Sequence, residues 1–208
     1  MDAKEVARPC ASLSLVDEEN AVTWLGDDLW NVVDKKLGLR LVGKVWTNKH
    51  VNREAFRATI PKIWRTMQEV QVEVIQENIF VFHFKKRDDR QRVLTGGPWG
   101  FDRGLLVLEE PVGLGDVSRM VFRLVEFWVQ LYNIPFVCMN KEVGSFLGSL
   151  IGELCEINGG ATGDCMGKYL RVRVKIDITQ PLKPCLKVDL RSGEEVVILL
   201  RYERLLEL

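Results

Sequence analysis

The chain has 208 residues, of which 47% are hydrophobic and 28% are charged, a composition that fits a folded protein and excludes a disordered one. Lysine plus arginine number 29, as do aspartate plus glutamate, so the formal net charge is zero. A dedicated nucleic-acid binder usually carries a basic surplus, because neutralising phosphates supplies most of its affinity. Any nucleic-acid site in this chain must therefore come from local segregation of charge.

Two further classes are disfavoured by the sequence. No apolar run reaches the roughly 18 residues that a membrane-spanning helix needs, and the N-terminus lacks the apolar stretch of a secretory signal. The five cysteines form no CxxC pair, so neither a disulfide framework nor a zinc knuckle is expected. We predict a soluble, intracellular protein without metal or cofactor, located in either the nucleus or the cytoplasm.

The chain begins with 36 residues of mixed character, which predict a partly helical N-terminal arm. The segment 41–47 is β-branched and aromatic and predicts a strand. Asn52 can cap a helix whose apolar residues recur at spacings of three and four. Pro61 falls inside that pattern, so the helix either kinks there or begins near Pro61. The apolar residues are Phe56, Ile60, Ile63, Trp64 and Met67.

The next segments complete a recognisable order of elements. Alternation over 70–75 and the apolar run 79–84 predict a hairpin that turns at Glu77-Asn78. A short helix opens at Asp88 and ends before Gly96, and 105–108 is typical of a buried strand. Strand, helix, strand, strand, helix, strand is the ferredoxin-like βαββαβ arrangement, which RNA-recognition motifs share. We predict an α+β ferredoxin-like domain over 37–112.

The sequence of the second half predicts another α+β unit, over 120–206, that packs on the first unit. Its order of elements is expected to repeat part of the order in the first half. Its elements are strands at 127–134, 153–157 and 169–178, a one-sided helix over 143–151, and a C-terminal antiparallel hairpin of 186–190 with 196–202. The strand 169–178 has the clearest pattern, with apolar residues alternating with basic ones.

Enzyme chemistry finds no support in the sequence. The two histidines, His50 and His83, lie in no metal or nucleophile motif, and His83 falls within a strand. The segment 159–168 departs twice from a phosphate-binding loop, with Thr162 in place of the first glycine and Tyr169 after the lysine. We therefore predict a non-enzymatic protein.

Two stretches carry a family resemblance: LVGKVWTNKHVNREAF, followed by NIFVFHFKKRDDRQRVLTGGPWGFDRGLLVLE. They resemble a plant domain-of-unknown-function family that occurs in proteins derived from LINE-type retrotransposons, where it precedes a CCHC zinc knuckle. FWVQLYNIP, IGELCEIN, YLRVRVKIDITQPLK and RYERL resemble the segment that follows in those proteins. The likeness spans about residues 37–206 and implies a role in binding the RNA or DNA of the element.

The zinc knuckle of that family usually begins soon after RYERL. Here no CCHC spacing occurs anywhere in the 208 residues. We therefore expect a truncated or degenerate member, and a true C-terminus and a truncated gene are both compatible with the sequence.

The third strand argues against the usual RNA-recognition chemistry. In that motif, aromatic residues of the third strand stack bases on the open face of the sheet. Here the alternation over 79–84 places Phe80, Phe82 and Phe84 on the core side, and Ile79 and Val81 where the stacking rings should be. We expect this apolar face to be covered, by the second half of the chain.

Electrostatic contact with phosphates remains as the candidate binding mode. A basic cluster follows the third strand, and a one-sided basic stripe runs along 169–178, with Lys168 and Lys183 nearby. Such patches contact phosphate without reading sequence, although charge runs are also typical of ordinary solvated surface. The cluster is Lys85, Lys86, Arg87, Arg90 and Arg92, and the stripe is Arg171, Arg173 and Lys175.

The predicted function is sequence-nonspecific binding of RNA or single-stranded DNA. The alternative is a protein–protein interaction or self-assembly module, which would use sheet edges or an aromatic interface. Its candidate aromatic residues are Trp30, Trp46, Trp99 and Trp128. Salt distinguishes the two functions, because phosphate binding weakens steeply with ionic strength and an apolar interface does not.

Overall fold

The computed structural model describes Trp24 and residues 26–111, 117–159, 167–189, 193 and 195–205. The chain separates into two compact units, Met1–Lys36 and Leu37–Leu208. The described part of the N-terminal arm is helical: α1 spans Asp27–Leu37, with two aspartates in its first turn and two lysines in its last. Those charges complement the helix dipole.

The second unit begins with a five-stranded antiparallel sheet in the order β2-β3-β1-β5-β4. Without the short edge strand β4, this is the ferredoxin-like order, and the predicted βαββαβ fold is confirmed. Its elements are β1 (Arg40–Trp46), α2 (Arg53–Trp64), β2 (Gln71–Gln76), β3 (Ile79–His83), α3 (Arg87–Thr95), β4 (Trp99–Phe101) and β5 (Gly104–Glu109).

The predicted N-cap of helix α2 is confirmed, whereas part of its predicted apolar face is not buried. Asn52 caps it as predicted, its side chain accepting a hydrogen bond from the Ala55 amide at 3.0 Å. The helix begins at Arg53 and continues through Pro61 to Trp64. Arg65 then takes the left-handed conformation, with φ 48°. The predicted apolar face is therefore shorter than expected, since Ile63 and Met67 are exposed.

A second five-stranded antiparallel sheet follows, in the order β7-β8-β6-β10-β9. The predicted strands, helix and final hairpin are all present. Short 3-10 helices precede β6 and α4, at Val117–Arg119 and Phe136–Cys138. The elements are β6 (Leu124–Tyr132), α4 (Lys141–Ser149), β7 (Glu153–Asn158), β8 (Leu170–Asp177), β9 (Cys185–Asp189) and β10 (Glu195–Tyr202).

The two sheets share one topology. Each has a strand, a helix, two strands and a final hairpin, and corresponding strands occupy the same positions in the two sheet orders. The difference lies before the final hairpin: α3 connects β3 to β4, whereas β8 connects to β9 through the described residues 178–184 without a helix. The expected echo of the first half in the second is confirmed.

Strand β4 was not predicted from the sequence. It has three residues, too few for a periodic pattern, and it pairs with β5 through a tight turn. Asp102 and Arg103 both have positive φ, at 47° and 62°, as a two-residue hairpin turn of the primed type requires. Neither residue is the glycine or asparagine that usually signals such a turn.

Helix α4 packs through small residues. Its buried residues are Gly144, Leu147 and Gly148, whereas Phe146 and Leu150, which fall within the predicted one-sided helix, are exposed. A Cβ on Gly144 would lie 3.0 Å from the Leu170 side chain. The helix therefore contacts the sheet through the glycines, and this close approach rotates its large apolar residues outward.

The core consists of two clusters, and the larger one joins the two sheets. The smaller cluster lies between the first sheet and its helices and contains Phe80 and Phe82, both 0% exposed. The larger contains Val42 and Val81 from the opposite face of that sheet, together with Phe122 and the core of the second sheet. The expectation that this opposite face is covered is therefore confirmed. Residues 37–112 and 120–206 lie together in one compact unit, and their division into separate domains stays a prediction.

Phe122 belongs to the connecting segment, residues 110–123 between β5 and β6, and is 6% exposed. Phe122→Ala is expected to lower the free energy of unfolding by about 3–5 kcal/mol, because the ring leaves a cavity in the cluster that joins the sheets. The neighbouring Val121 is 62% exposed, so Val121→Ala should change stability by less than about 0.5 kcal/mol. Urea unfolding measures both, and equal effects would contradict a structural role for Phe122.

Candidate nucleic-acid interface

The basic stripe lies on the polar face of β8, because its residues alternate with the buried Leu170, Val172 and Val174. Arg171 forms a bidentate ion pair with Glu203, with Nε–Oε1 and Nη2–Oε2 distances of 2.8 and 2.7 Å. Its guanidinium carbon lies 3.8 Å from the ring centroid of Trp128. The side-chain hydrogen bond raises the pKa of Arg171 and lowers that of Glu203. The charge of Arg171 is therefore compensated within the chain.

Arg173 connects the second sheet to helix α3. Its Nη2 lies 2.7 Å from Glu126 Oε2 and also donates a hydrogen bond to the carbonyl of Thr95, the last residue of α3. Arg204 donates from Nη1 to the carbonyl of Gly96 at 2.7 Å. Carbonyls at a helix C-terminus lack intrahelical donors and attract cations. Arg173 and Arg204 therefore stabilise the contact between the second sheet and the end of α3.

Lys175 faces carboxylates. It lines a cavity of about 320 Å³ together with Glu109, Glu110 and Glu126. Burial raises the pKa of Glu109, and the positive charge of Lys175 opposes that rise. Nearby, Lys183 donates to the carbonyl of Leu150, at the end of α4. The basic side chains of the stripe, together with Lys183, thus mainly face carboxylates of this chain or donate hydrogen bonds to carbonyl groups at helix C-termini.

The structure divides the basic cluster. Lys85, Lys86 and Arg87 are exposed where α3 begins. Arg90 turns inward, with Nη2 2.6 Å from Glu110 Oε1 and Nε donating to the carbonyl of Arg40 at 3.0 Å. Three of the five predicted cations therefore lie together on the surface at the start of α3, and Arg92 lies in the last turn of that helix.

Asp89, which lies within the segment of the basic cluster, is buried. It is 2% exposed and accepts hydrogen bonds from the Met67 and Gln68 amides at 3.0 and 3.1 Å. Arg92 Nη2 donates to Asp89 Oδ1 and to the carbonyl of Arg65, both at 2.9 Å. Asp89 thus fixes the turn that follows α2, and Arg92 is positioned beside the end of that helix.

An open groove of about 910 Å³ lies beside Arg92, between the ends of α2 and α3, and we call it the basic groove. Four cations line it, and among the described residues no aspartate or glutamate does. Its floor and walls include Ile63, Trp64, Pro98 and Trp99, and the guanidinium carbon of Arg204 lies 5.7 Å from the Trp99 ring centroid. The four cations are Lys62, Arg65, Arg92 and Arg204, all exposed.

Sequence reasoning missed most of this groove. Of the eight predicted site residues, all of which the structure describes, Arg92 alone lines it. Lys62 and Arg65 lie at the end of α2, and Arg204 follows β10 more than a hundred residues later. No linear motif brings these residues together, since the fold of α3 and the position of the second sheet determine their proximity.

Two other features are lacking among the described residues. No helix among them is long and apolar enough to cross a membrane. Within the same part of the chain, no three histidine, cysteine, aspartate or glutamate side chains are grouped so that they could hold a metal ion.

The described chain is thus a two-sheet α+β protein whose first sheet has the ferredoxin-like order and whose surface carries a basic groove. The family model called "Domain of unknown function (DUF4283)" matches residues 33–110, which contain the whole first sheet and its two helices. The "Uncharacterized protein At4g02000" of Arabidopsis thaliana is 27% identical over 81 residues, which cover 39% of this chain and 26% of that protein. The matched stretch is therefore about a quarter of the plant protein's length.

A solved structure described as "SXL-LETHAL PROTEIN/RNA COMPLEX" matches 78% of this chain and 98% of its own chain. The sequence identity is 13% and the TM-score is 0.29. The ferredoxin-like fold of the first sheet is defined by its strand order, β2-β3-β1-β5.

The ion pair between Arg171 and Glu203 should make stability depend on pH. The folded-state pKa of Glu203 lies below its ordinary value of 4.5, so the carboxylate stabilises the fold above pH 4.5. That stabilisation is lost as the pH falls through the folded-state pKa. Glu203→Gln is expected to lower the urea midpoint at pH 7, and the difference from the parent chain should close as the pH falls through the folded-state pKa of Glu203.

The matched control is Glu195→Gln, which changes an exposed carboxylate at the start of β10, the strand that Glu203 follows. It should leave the urea midpoint unchanged at neutral and at acid pH. A deficit for Glu203→Gln that is as large at acid pH as at neutral pH would show that the ion pair is not its cause.

Proposed function

We propose that this protein binds single-stranded RNA or DNA without reading its sequence, and that the basic groove is the binding site. The observation that carries the proposal is the grouping of four exposed cations on a groove that no described carboxylate lines. In a chain of zero net charge, this is the local segregation that phosphate binding requires. The exposed Lys85, Lys86 and Arg87 add positive charge where α3 begins, and the same helix supplies Arg92.

The groove fits a single strand better than a duplex. Trp99 and Ile63 give it an apolar lining against which unstacked bases can pack, whereas the bases of a duplex are already stacked on one another. Phosphate contacts position a nucleic acid but carry no sequence information. The open face of the first sheet, where RNA-recognition motifs stack bases, is buried in the larger core cluster. This leaves the groove as the site that supports the function.

The wider origin of the chain is also part of the proposal. We infer a plant protein derived from a LINE-type retrotransposon, on the resemblance of residues 37–206 to that family and on the match to the Arabidopsis protein. A non-catalytic, intracellular role in handling the nucleic acid of such an element is compatible with the groove.

The groove is tested by removing two of its charges. In the variant Lys62→Gln/Arg65→Asn, asparagine tolerates the left-handed backbone of Arg65, so the fold is expected to persist. Fluorescence anisotropy with a labelled single-stranded oligonucleotide, repeated over a salt series, measures binding. Each lost phosphate contact should reduce the slope of log K against log salt by about 0.7, which gives a reduction of about 1.4 for the double variant.

The matched control is Lys141→Gln/Lys187→Gln, which removes two exposed lysines on α4 and β9 that do not line the groove. It should retain the parent affinity and the parent salt dependence. An equal loss of affinity in both double variants would assign binding to overall charge, and no binding of the folded parent at low salt would refute the proposed function.

Self-association is the second candidate function, and one observation favours it. Phe136 and Val137, just before α4, are 70% and 83% exposed, and Phe146 on α4 is 55% exposed. Trp99 and Trp128, by contrast, pack against arginines of this chain and offer less to a partner. Contiguous exposed apolar side chains mark interfaces more than single ones do, and Phe136 and Val137 are adjacent in the chain.

The apolar surface predicts a dimer that persists in high salt. Sedimentation velocity should show concentration-dependent association that Val137→Asp abolishes, because a buried carboxylate would oppose the contact. Val32→Asp, an exposed valine of α1, serves as the control. A monomer at all concentrations would exclude this function and would leave the groove unaffected.

A further inference from the structure

A second depression adjoins the basic groove. It has a volume of about 560 Å³, and Arg204 lines both it and the groove. We call it the tyrosine depression, after Tyr132 and Tyr169 in its lining. Because Arg204 lines both spaces, the groove and the tyrosine depression are adjacent at this residue.

The tyrosine depression is positive despite containing a glutamate. Lys168 and Arg201 are exposed there, and Arg204 adds a third cation at the boundary with the groove. Glu203 is the carboxylate among its described lining residues, and both of its oxygens are bound by Arg171 while Gln130 donates to Oε1 at 2.8 Å. The charge of Glu203 is therefore offset by Arg171, and the remaining cations face the depression.

In addition to Tyr202, the residues Tyr132 and Tyr169 line the depression and give it an aromatic surface of defined orientation. Their ring centroids are 5.1 Å apart with an angle of 49° between the planes. The Tyr132 hydroxyl donates to Gln130 Oε1 at 2.7 Å, which fixes that ring. Both residues are partly exposed. Tyrosine rings beside a cationic track are the combination on which proteins stack unpaired bases.

We propose that a single nucleic-acid strand passes from the basic groove across Arg204 into the tyrosine depression. There its bases stack on Tyr169 and Tyr132, and its phosphates contact Lys168 and Arg201. This inference rests on the proposed function and deepens it, because it specifies a strand with unpaired bases as the ligand and a continuous track as the site. The track combines α2 and α3 of the first half with the C-terminal part of the second sheet.

Two variants of the full chain test the depression separately from the groove. Lys168→Gln/Arg201→Gln removes the proposed phosphate contacts, and Tyr169→Leu removes one ring while retaining an apolar side chain. The probe is a labelled oligothymidine of about ten nucleotides, within the length that single-strand-binding folds cover. An otherwise identical strand of abasic nucleotides retains the phosphates and lacks the bases.

The parent chain should bind the intact strand at least about fivefold more tightly than the abasic strand, which is the lower end of the contribution of one base–aromatic stack. In Tyr169→Leu that ratio should fall by about fivefold or more, which is the contribution of one stack, and Tyr169→Phe should restore it, because the ring rather than the hydroxyl stacks. The Lys168→Gln/Arg201→Gln variant should reduce the salt slope for both strands by about 1.4. Urea midpoints equal to that of the parent establish that each variant is folded.

The outcomes separate this inference from the proposed function. If the groove variant Lys62→Gln/Arg65→Asn weakens binding and the depression variants do not, the strand stays in the groove and the continuous track is refuted. If Tyr169→Leu leaves the ratio between intact and abasic strands unchanged, base stacking at the depression is refuted. If the parent chain binds neither strand at low salt, the proposed function itself fails.

Discussion

Burial of the open face of the first sheet is the constraint on which the rest of the structure depends. Helices α2 and α3 cover one side of that sheet, and its other side bears Val42, Val81 and Val107, which cannot stay in water without a large free-energy cost. The connecting segment and the second sheet share one cluster with these residues. The two halves therefore form one unit, and any surface for a ligand has to lie outside the sheet face that this fold usually offers.

The packing of the second sheet against the first also determines which of the described cationic side chains stay unpaired and available to a binding partner. Arg171 and Arg173 have the regular spacing of a binding stripe, yet they pair with Glu203 and Glu126, and Arg173 also holds the end of α3. A guanidinium bound bidentately to a carboxylate adds little net field outside the protein. At the ends of α2 and α3, Arg92 pairs with Asp89, whereas Lys62, Arg65 and Arg204 line the basic groove with no carboxylate among its described lining residues.

The two halves share one strand order, but their surfaces differ because only one of them has a second helix among the described residues. Both sheets have the same strand order, and the helix before the final hairpin is present only in the first half. That helix, α3, supplies Arg92 to the groove and the carbonyl groups to which Arg173 and Arg204 attach. The groove and its continuation over Arg204 thus depend on an element that the two halves do not share.

The sequence by itself determined the two α+β units, the strand positions and the sidedness of β8, because alternation with period two and helix capping by Asn52 are local effects. It also placed Phe80 and Phe82 in the core correctly. It could not reveal β4, whose turn lacks the usual residues, or the glycine face of α4, which depends on close approach to Leu170. Only the tertiary structure decided which carboxylates pair with Arg171 and Arg173. It also decided which cations line the basic groove, namely Lys62, Arg65, Arg92 and Arg204. An ion pair or a groove depends on distances between segments, which no local sequence pattern encodes.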